Sequence, residues 1–319
     1  MAKVTIIGLG LIGGSLGKAL RQAGGGFEVV GHDRDAEVAG RAKRKGAVDR
    51  AEWNLPKAVE GASLVIIATP AAAVESVFND IRPYLSPGCV VTDTASTKVD
   101  VLDWAKRILP AEVSFVGGNP MVGKERSGID EADAALFRDG TYCVVPAPGA
   151  RDEAVSLVVG MVNAVGAKPL FIDPVEHDSY VAAISHVPYL AAAALVKVAA
   201  GSAAWRDIAK VAAWGFRDTT KLASGDTIGY RDVCLTNRKA ILHWLDAYLA
   251  ELGALREAVA SGDRQTLEDA LGGAKKARDA WEQGRGPEEA PSVLQEMGTA
   301  GQFRQMLLGG WAGRPEKKR

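Results

Sequence analysis

Gly8, Gly10 and Gly13 fall in the pattern Gly-x-Gly-x-x-Gly, and Asp33 follows about 20 residues later, a spacing with the chemistry to hold a dinucleotide. Gly8 permits a tight turn, Gly10 lets a pyrophosphate approach the backbone, and Gly13 lets a helix pack close to a strand. Leu11 and Ile12 lie between the glycines, where backbone N–H groups at a helix start face phosphate charge. A carboxylate at Asp33 accepts hydrogen bonds from ribose hydroxyls and repels a 2′-phosphate. The reading is therefore NAD rather than NADP, with the adjacent Arg34 as a possible moderator of that preference.

The elements that position these residues are legible around them. Lys3–Ile7 and Phe27–Gly31 are short apolar runs with β-branched residues, read as buried strands, and a helical period takes over after Gly13. Further strand-like runs are Leu64–Ala68, Cys89–Asp93, Val113–Val116 and Tyr142–Val145, with Pro169–Ile172 as an edge candidate. Helical patterns separate most of them: a charged one over Ala36–Gly46, then Val74–Tyr84, Val99–Ile108 and Ala154–Val165. Strands alternating with helices predict a doubly wound parallel sheet of Rossmann type. Ligands bind such sheets at the carboxyl ends of the strands. The turn at Gly8, the loop at Thr69 and Pro70, the loop at Ser96 and the loop at Asn119 should then converge on one crevice.

From Val175 the strand signal stops. An Ala-rich helix over Tyr180–Ala200 is followed by helical patterns over Trp205–Trp214, Thr236–Val259 and Arg264–Trp281. The expected division is a dinucleotide-binding domain over 1–173, an all-helical domain over 174–284 that dimerises and closes over the crevice, and a flexible tail over 285–319. Phe303–Leu308 is the one stretch of that tail with a helical pattern. The 319 residues allow two domains of ordinary size. With 38 basic and 39 acidic residues the formal net charge is −1, so no bulk field attracts nucleic acid or a membrane surface. Three widely spaced cysteines make neither a disulfide framework nor a metal quartet; Cys89 and Cys143 sit in apolar runs and read as core. The chain opens directly on its first strand, and no apolar run is uninterrupted over a membrane's thickness. These features predict a cytoplasmic protein.

The motifs Ile6–Ser15 (IIGLGLIGGS), Asp93–Lys98 (DTASTK), Gly117–Gly128 (GGNPMVGKERSG), Ala183–Pro188 (AISHVP) and Gly215–Ala223 (GFRDTTKLA) together resemble the prephenate/arogenate dehydrogenases of tyrosine biosynthesis, over about residues 3–283. The resemblance implies an NAD-dependent homodimer that takes hydride from C4 of a cyclohexadienol ring while a carboxylate leaves as CO2. It places Ser96 near the nicotinamide and the C4 hydroxyl; from the residues alone Ser96 also reads as a helix N-cap. It places Asn119 at the C4 hydroxyl, where the bare residues also allow a turn before Pro120. It brings His186 to the substrate and makes Arg217 and Lys221 candidates for the substrate carboxylates. Lys98 is a further cation, either in the crevice or on the surface.

Three positions depart from the family pattern. Asn119 replaces the usual histidine, and an amide can accept a hydrogen bond but cannot act as a base near neutral pH. Lys221 replaces an arginine, keeping charge but losing the bidentate fork. Tyr189 replaces a second histidine at a substrate position. The cofactor loop is intact, so the departures raise two competing readings: a specialised enzyme for a modified ring such as 4-amino-4-deoxyprephenate, or a cofactor-binding protein that has lost catalysis. Other hydroxyacid or imine reductases are a more distant alternative.

Overall fold

The computed structural model describes residues 2–124 and 126–284. The tail expected over 285–319, including Phe303–Leu308, lies outside these residues. In chain order the first half runs β1 (Ala2–Ile7), α1 (Leu11–Ala23), β2 (Phe27–His32), α2 (Ala36–Arg44), β3 (Arg50–Ala51), α3 (Leu55–Val59), β4 (Leu64–Ile67), α4 (Val74–Ile81), β5 (Val90–Asp93), α5 (Val99–Ile108), β6 (Ser114–Pro120), β7 (Thr141–Pro146), α6 (Asp152–Ala164) and β8 (Lys168–Phe171). The strands form one sheet in the order β3-β2-β1-β4-β5-β6-β7-β8. After β3 the chain crosses to the other side of β1, so the carboxyl ends of β1 and β4 flank the topological switch point, where such sheets bind ligands.

Both faces of the sheet are covered at its centre, which is why β4 and β5 are buried along their whole length rather than alternating with exposed residues. Val4 and Ile6 of β1, Leu64 and Ile66 of β4 and Val90 of β5 pack with Leu16 and Leu20 of α1 and Val158 and Val162 of α6. The intervening Ile7, Val65, Ile67 and Val91 pack on the opposite face with Val74, Phe78 and Ile81 of α4 and Val101 of α5. Cys89 and Cys143 are buried free thiols, and burial pushes the Cys89 thiol up to about 12, the state of an inert core residue.

The sheet departs from the sequence reading in three places. β3 is two residues long, too short to leave a periodic signal. β7 runs antiparallel to β6, so the parallel sheet contains one antiparallel pair among its described strands. That pairing also lengthens β6: Asn119 lies opposite Cys143 and Pro120 opposite Tyr142, so Asn119 sits within the strand, one rung from its end, rather than in a loop beyond it.

The second half is helical: α7 (Pro174–Val181), a wide π turn (Ala182–His186), α8 (Val187–Ala200), α9 (Trp205–Val211), α10 (Trp214–Thr220), α11 (Thr227–Thr236), α12 (Arg238–Ser261) and α13 (Arg264–Glu282). Two expected boundaries move: the helix expected from Trp205 to Trp214 breaks before Trp214, and α11 precedes Asn237 as a separate helix. The run Pro174–Ala200 is continuous and, by length and composition alone, apolar enough to cross a membrane. Its polar residues, however, reach into the first half. The Asp178 carboxylate accepts from the Lys98 and Val99 backbone N–H groups at 2.7 and 2.9 Å, capping α5 from across the crevice.

Candidate active site

The glycine loop fits a dinucleotide on the geometry of its backbone. Gly8 has φ +91°, and a Cβ there would lie 2.5 Å from the Ala68 carbonyl oxygen. A Cβ on Gly13 would lie 1.9 Å from the Gly8 carbonyl oxygen, so α1 can approach β1 only without one. A Cβ on Gly10 would meet nothing within 4 Å. The space beside it is open, as a bound pyrophosphate requires. No side chain caps α1 and no acidic residue occupies its first turn, so its N–H groups and positive dipole end face that space.

Asp33 holds the loop in place. Its Oδ2 accepts from Leu9 N at 2.8 Å and its Oδ1 from Asp35 N at 3.0 Å, which pins the glycine loop to the end of β2. Lone pairs remain for ribose hydroxyls. Arg34 beside it is exposed. We expect kcat/KM to be higher with NAD than with NADP, and Asp33→Ser to lower the NAD value by roughly tenfold or more, the worth of a charge-assisted hydrogen bond. Initial-rate kinetics with both cofactors check this; equal efficiency with NADP would mean that Arg34 governs the site.

A crevice of about 670 Å³ opens between this loop and the helical half. Gly10, Leu11, Ile12, Thr69, Pro70, Ser96, Asn119 and His186 all line it. The structure thus brings together residues from four strand ends and from the π turn. Pro188 follows that turn and has no N–H to give to the Ile184 carbonyl, a local reason for the wider spacing.

Beneath the crevice, side chains from separate elements meet in one hydrogen-bonded chain. Asn119 Nδ2 is 3.0 Å from His177 Nε2, and His177 Nδ1 is 2.8 Å from Asp178 Oδ1. Asn237, at the junction of α11 and α12, donates through Nδ2 to the Asp178 carbonyl oxygen at 2.7 Å and to His186 Nδ1 at 3.2 Å. An acceptor at Nδ1 leaves the proton of a neutral His186 on Nε2. His186 is 2% exposed, and its Nε2 has no hydrogen-bond partner among the described residues. It is therefore a buried N–H donor in a site lined for a ligand.

Burial, only partly opposed by the Asp178 charge, pulls the His186 pKa from 6.5 to about 4. The folded pKa lies below the unfolded one, so the unfolded chain binds more protons between these values. Stability from this group is complete above about 6.5 and is lost as pH falls toward about 4. We expect the unfolding midpoint to drop through that window, and His186→Gln to flatten the drop. Urea unfolding at stepped pH is the measurement, and identical slopes in both proteins would refute the assignment.

Several sequence-predicted residues lie elsewhere. Lys98 is neither a crevice cation nor a surface lysine: it is fully buried, its ammonium paired with the Asp93 carboxylate and donating to the Gly118 carbonyl oxygen at 2.7 Å. Ser96 does not cap α5, because Asp178 does. Tyr189 is buried behind the crevice wall, stacked on Tyr230 with ring centroids 3.5 Å apart and planes 6° off parallel. The ring that lines the crevice is Tyr230. Arg217 and Lys221 line a larger cleft that adjoins the crevice at Leu11, Ser127, Asp226 and Tyr230 and also carries Lys124 and Arg126. Sequence reasoning missed Tyr230, His177, Asp178 and Asn237. The adjacent pair His177-Asp178, in a chain with four histidines, was the available signal.

A family profile described as prephenate dehydrogenase, nucleotide-binding domain, matches residues 16–170, and one described as prephenate dehydrogenase, dimerization domain, matches 173–272. The prephenate dehydrogenase of Bacillus subtilis (strain 168) is 33% identical over 278 residues, covering 86% of this chain and 75% of the relative. The chain belongs to the prephenate dehydrogenase family. Among solved structures, arogenate dehydrogenase from Synechocystis superposes with a TM-score of 0.75 at 29% identity, covering 88% of this chain and 99% of that one. The prephenate dehydrogenase of A. aeolicus, solved with hydroxyphenyl propionate and NAD+, gives a TM-score of 0.83 at 26% identity over 88% and 98% of the two chains.

Proposed function

We propose that this member of the prephenate dehydrogenase family carries out the NAD-dependent oxidative decarboxylation of a cyclohexadienol, prephenate or arogenate, to a 4-hydroxyphenyl product. The observation that carries the reading is the placement of the glycine loop, Ser96, Asn119 and His186 around one crevice. NAD held by Gly8–Gly13 and Asp33 supplies the hydride acceptor. The protein's own residues do the rest by binding and orientation. Asn119 accepts a hydrogen bond from the substituent on the reacting carbon, and Ser96, which lines the same crevice, supplies a second hydroxyl contact. His186, neutral and with Nε2–H presented, donates to a carboxylate or keto oxygen without adding charge. Aromatisation drives loss of CO2, so the reaction can proceed with the proton lost to water, at a rate that a protein base would raise. The test is NADH formation by the purified protein with prephenate and with arogenate, with the aromatic product identified; no turnover of either would sink the reading.

The cleft beside the crevice, lined by Arg217 and Lys221 together with Lys124, Arg126, Asp130, Glu131 and Asp226, supports a place for the substrate carboxylates at Lys221 and Arg217. We expect Lys221→Ala to raise KM by roughly 10- to 100-fold, the loss of a charged hydrogen bond in a partly dry site. Lys221→Arg should keep or improve activity. Unchanged kinetics in the alanine variant would move the anchor to Arg217.

The helical half leaves Val198, Val211, Trp214, Leu235 and Leu249 exposed. That apolar surface supports a homodimer formed through residues 174–284, and the division of the chain at 173/174 follows the end of the sheet. Free cysteines and a small-molecule reaction support a cytoplasmic setting.

A further inference from the structure

We infer that His177 is a positioning residue that fixes which end of the Asn119 amide faces the substrate. The inference deepens the function proposed above, since it names what prepares the acceptor for the reacting carbon's substituent. His177 is fully buried and does not line the crevice; it stands between Asp178 and Asn119.

The assignment of protons follows from chemistry at each contact. A carboxylate only accepts, so the His177 Nδ1 that lies 2.8 Å from Asp178 Oδ1 carries the proton. Asp178 is itself held, because the same carboxylate caps α5 through Lys98 N and Val99 N. A neutral ring with its proton on Nδ1 has a lone pair on Nε2. The Asn119 atom 3.0 Å from that nitrogen is Nδ2, the donor that such a lone pair accepts from. The inverted amide would set a carbonyl oxygen against a lone pair and lose the hydrogen bond. With Nδ2 turned to His177 and to Met121 Sδ at 3.5 Å, the carbonyl end is left without a protein partner among the described residues. Asn119 lines the crevice, so that end is an acceptor offered to the ligand. A bare asparagine is an even-handed group that can donate or accept. Beside His177 it becomes acceptor-only, suited to a ring substituent that carries a proton.

The groups facing His177 are Asp178 on its own helix, Asn119 from β6 and, across the π turn, His186, whose proton is on the opposite nitrogen. The two buried histidines are thus set as a complementary pair. His177 carries Nδ1–H and makes Asn119 an acceptor; His186 carries Nε2–H and is itself a donor.

Two measurements test this. The first needs no turnover. In protein labelled with 15N-histidine, long-range proton–nitrogen correlation reads the tautomer of each of the four imidazoles, assigned by single substitutions. The expected result is Nδ1–H on His177 and Nε2–H on His186. A proton on His177 Nε2 overturns the inference whether or not the enzyme is active, because the amide would then have to face the other way. The second is a double-mutant cycle on kcat. His177→Leu should lower kcat by on the order of tenfold in the wild-type background, the worth of one neutral hydrogen bond at the reacting group. In an Asn119→Ala background, where there is no amide to orient, it should lower kcat no further. Equal losses in both backgrounds would make His177 a merely structural residue. NAD binding by both His177 variants reports that they are folded. A wild-type protein that turns over neither prephenate nor arogenate but shows the expected tautomers would remove the proposed reaction and leave the orientation of Asn119 standing.

Discussion

Lys98→Met should destabilise the protein by about 3–5 kcal/mol, the cost of leaving a partner charge buried without compensation. Lys98 and Asp93 are both fully buried, and their side chains form an ion pair beneath the crevice floor. Asp93 also accepts from Ala95 N at 2.9 Å and from Gly118 N at 3.0 Å, while Lys98 donates to the Gly118 carbonyl oxygen. The pair therefore ties the loop that carries Ser96 to the strand that carries Asn119. Methionine fills the space of the lysine stem but leaves the carboxylate alone in a dry interior. Neutralising the partner as well, in Lys98→Met/Asp93→Asn, should recover part of the loss, because no charge then remains to be desolvated. Urea unfolding of the three proteins measures both effects. A wild-type midpoint in Lys98→Met, together with a raised KM, would return Lys98 to the role of substrate cation.

Lys98 also shows where the sequence stops being informative. Its neighbours Ser96 and Thr97 and the helix behind it suggested an exposed or crevice-facing ammonium. Its real position depends on a carboxylate five residues earlier and a carbonyl on the next strand, and no local pattern encodes that meeting. The same holds for the chain Asn119–His177–Asp178–Asn237–His186. Its members come from β6, α7, the α11–α12 junction and the π turn, and adjacent residues such as His177 and Asp178 point in different directions on a helix. Tyr189 lies away from the crevice lining for a related reason. Its motif position is that of a substrate contact, but an aromatic ring there can stack on Tyr230 and withdraw from the crevice. By contrast, the cofactor loop was legible almost residue by residue. Turn, helix start and carboxylate are consequences of backbone geometry within 30 or so residues, and the order and spacing of residues there specify them. The central strands β1, β4 and β5 were legible because they are buried on both faces. β3 and the last rungs of β6 were not, since they exist only by virtue of their partners.

Asn119→His should raise kcat by roughly 10- to 1000-fold on the cyclohexadienol substrate, the usual contribution of a general base. The site is built to receive the ring. Asn119 now donates to His177 Nε2, and a histidine N–H in its place can make the same bond, since His177 remains fixed by Asp178. The other nitrogen of the new ring would face the crevice with a lone pair, where the amide oxygen now offers an acceptor that cannot take the proton. Hydride transfer and loss of the hydroxyl proton could then be concerted, instead of leaving the proton to water. The sign of the pH effect is fixed by the same argument. A base works when unprotonated, so the variant's kcat should gain a limb that rises with pH through the histidine range near about 6.5. His186 cannot supply such a limb in the wild type, because burial holds its pKa down at about 4. The measurement is kcat against pH for both proteins with prephenate and with arogenate. If the variant gains the limb but loses rate on every ring substrate tried, the acceptor-only amide is matched to a proton donor other than a hydroxyl on the reacting carbon, and Asn119 is a specificity determinant rather than a weakened base.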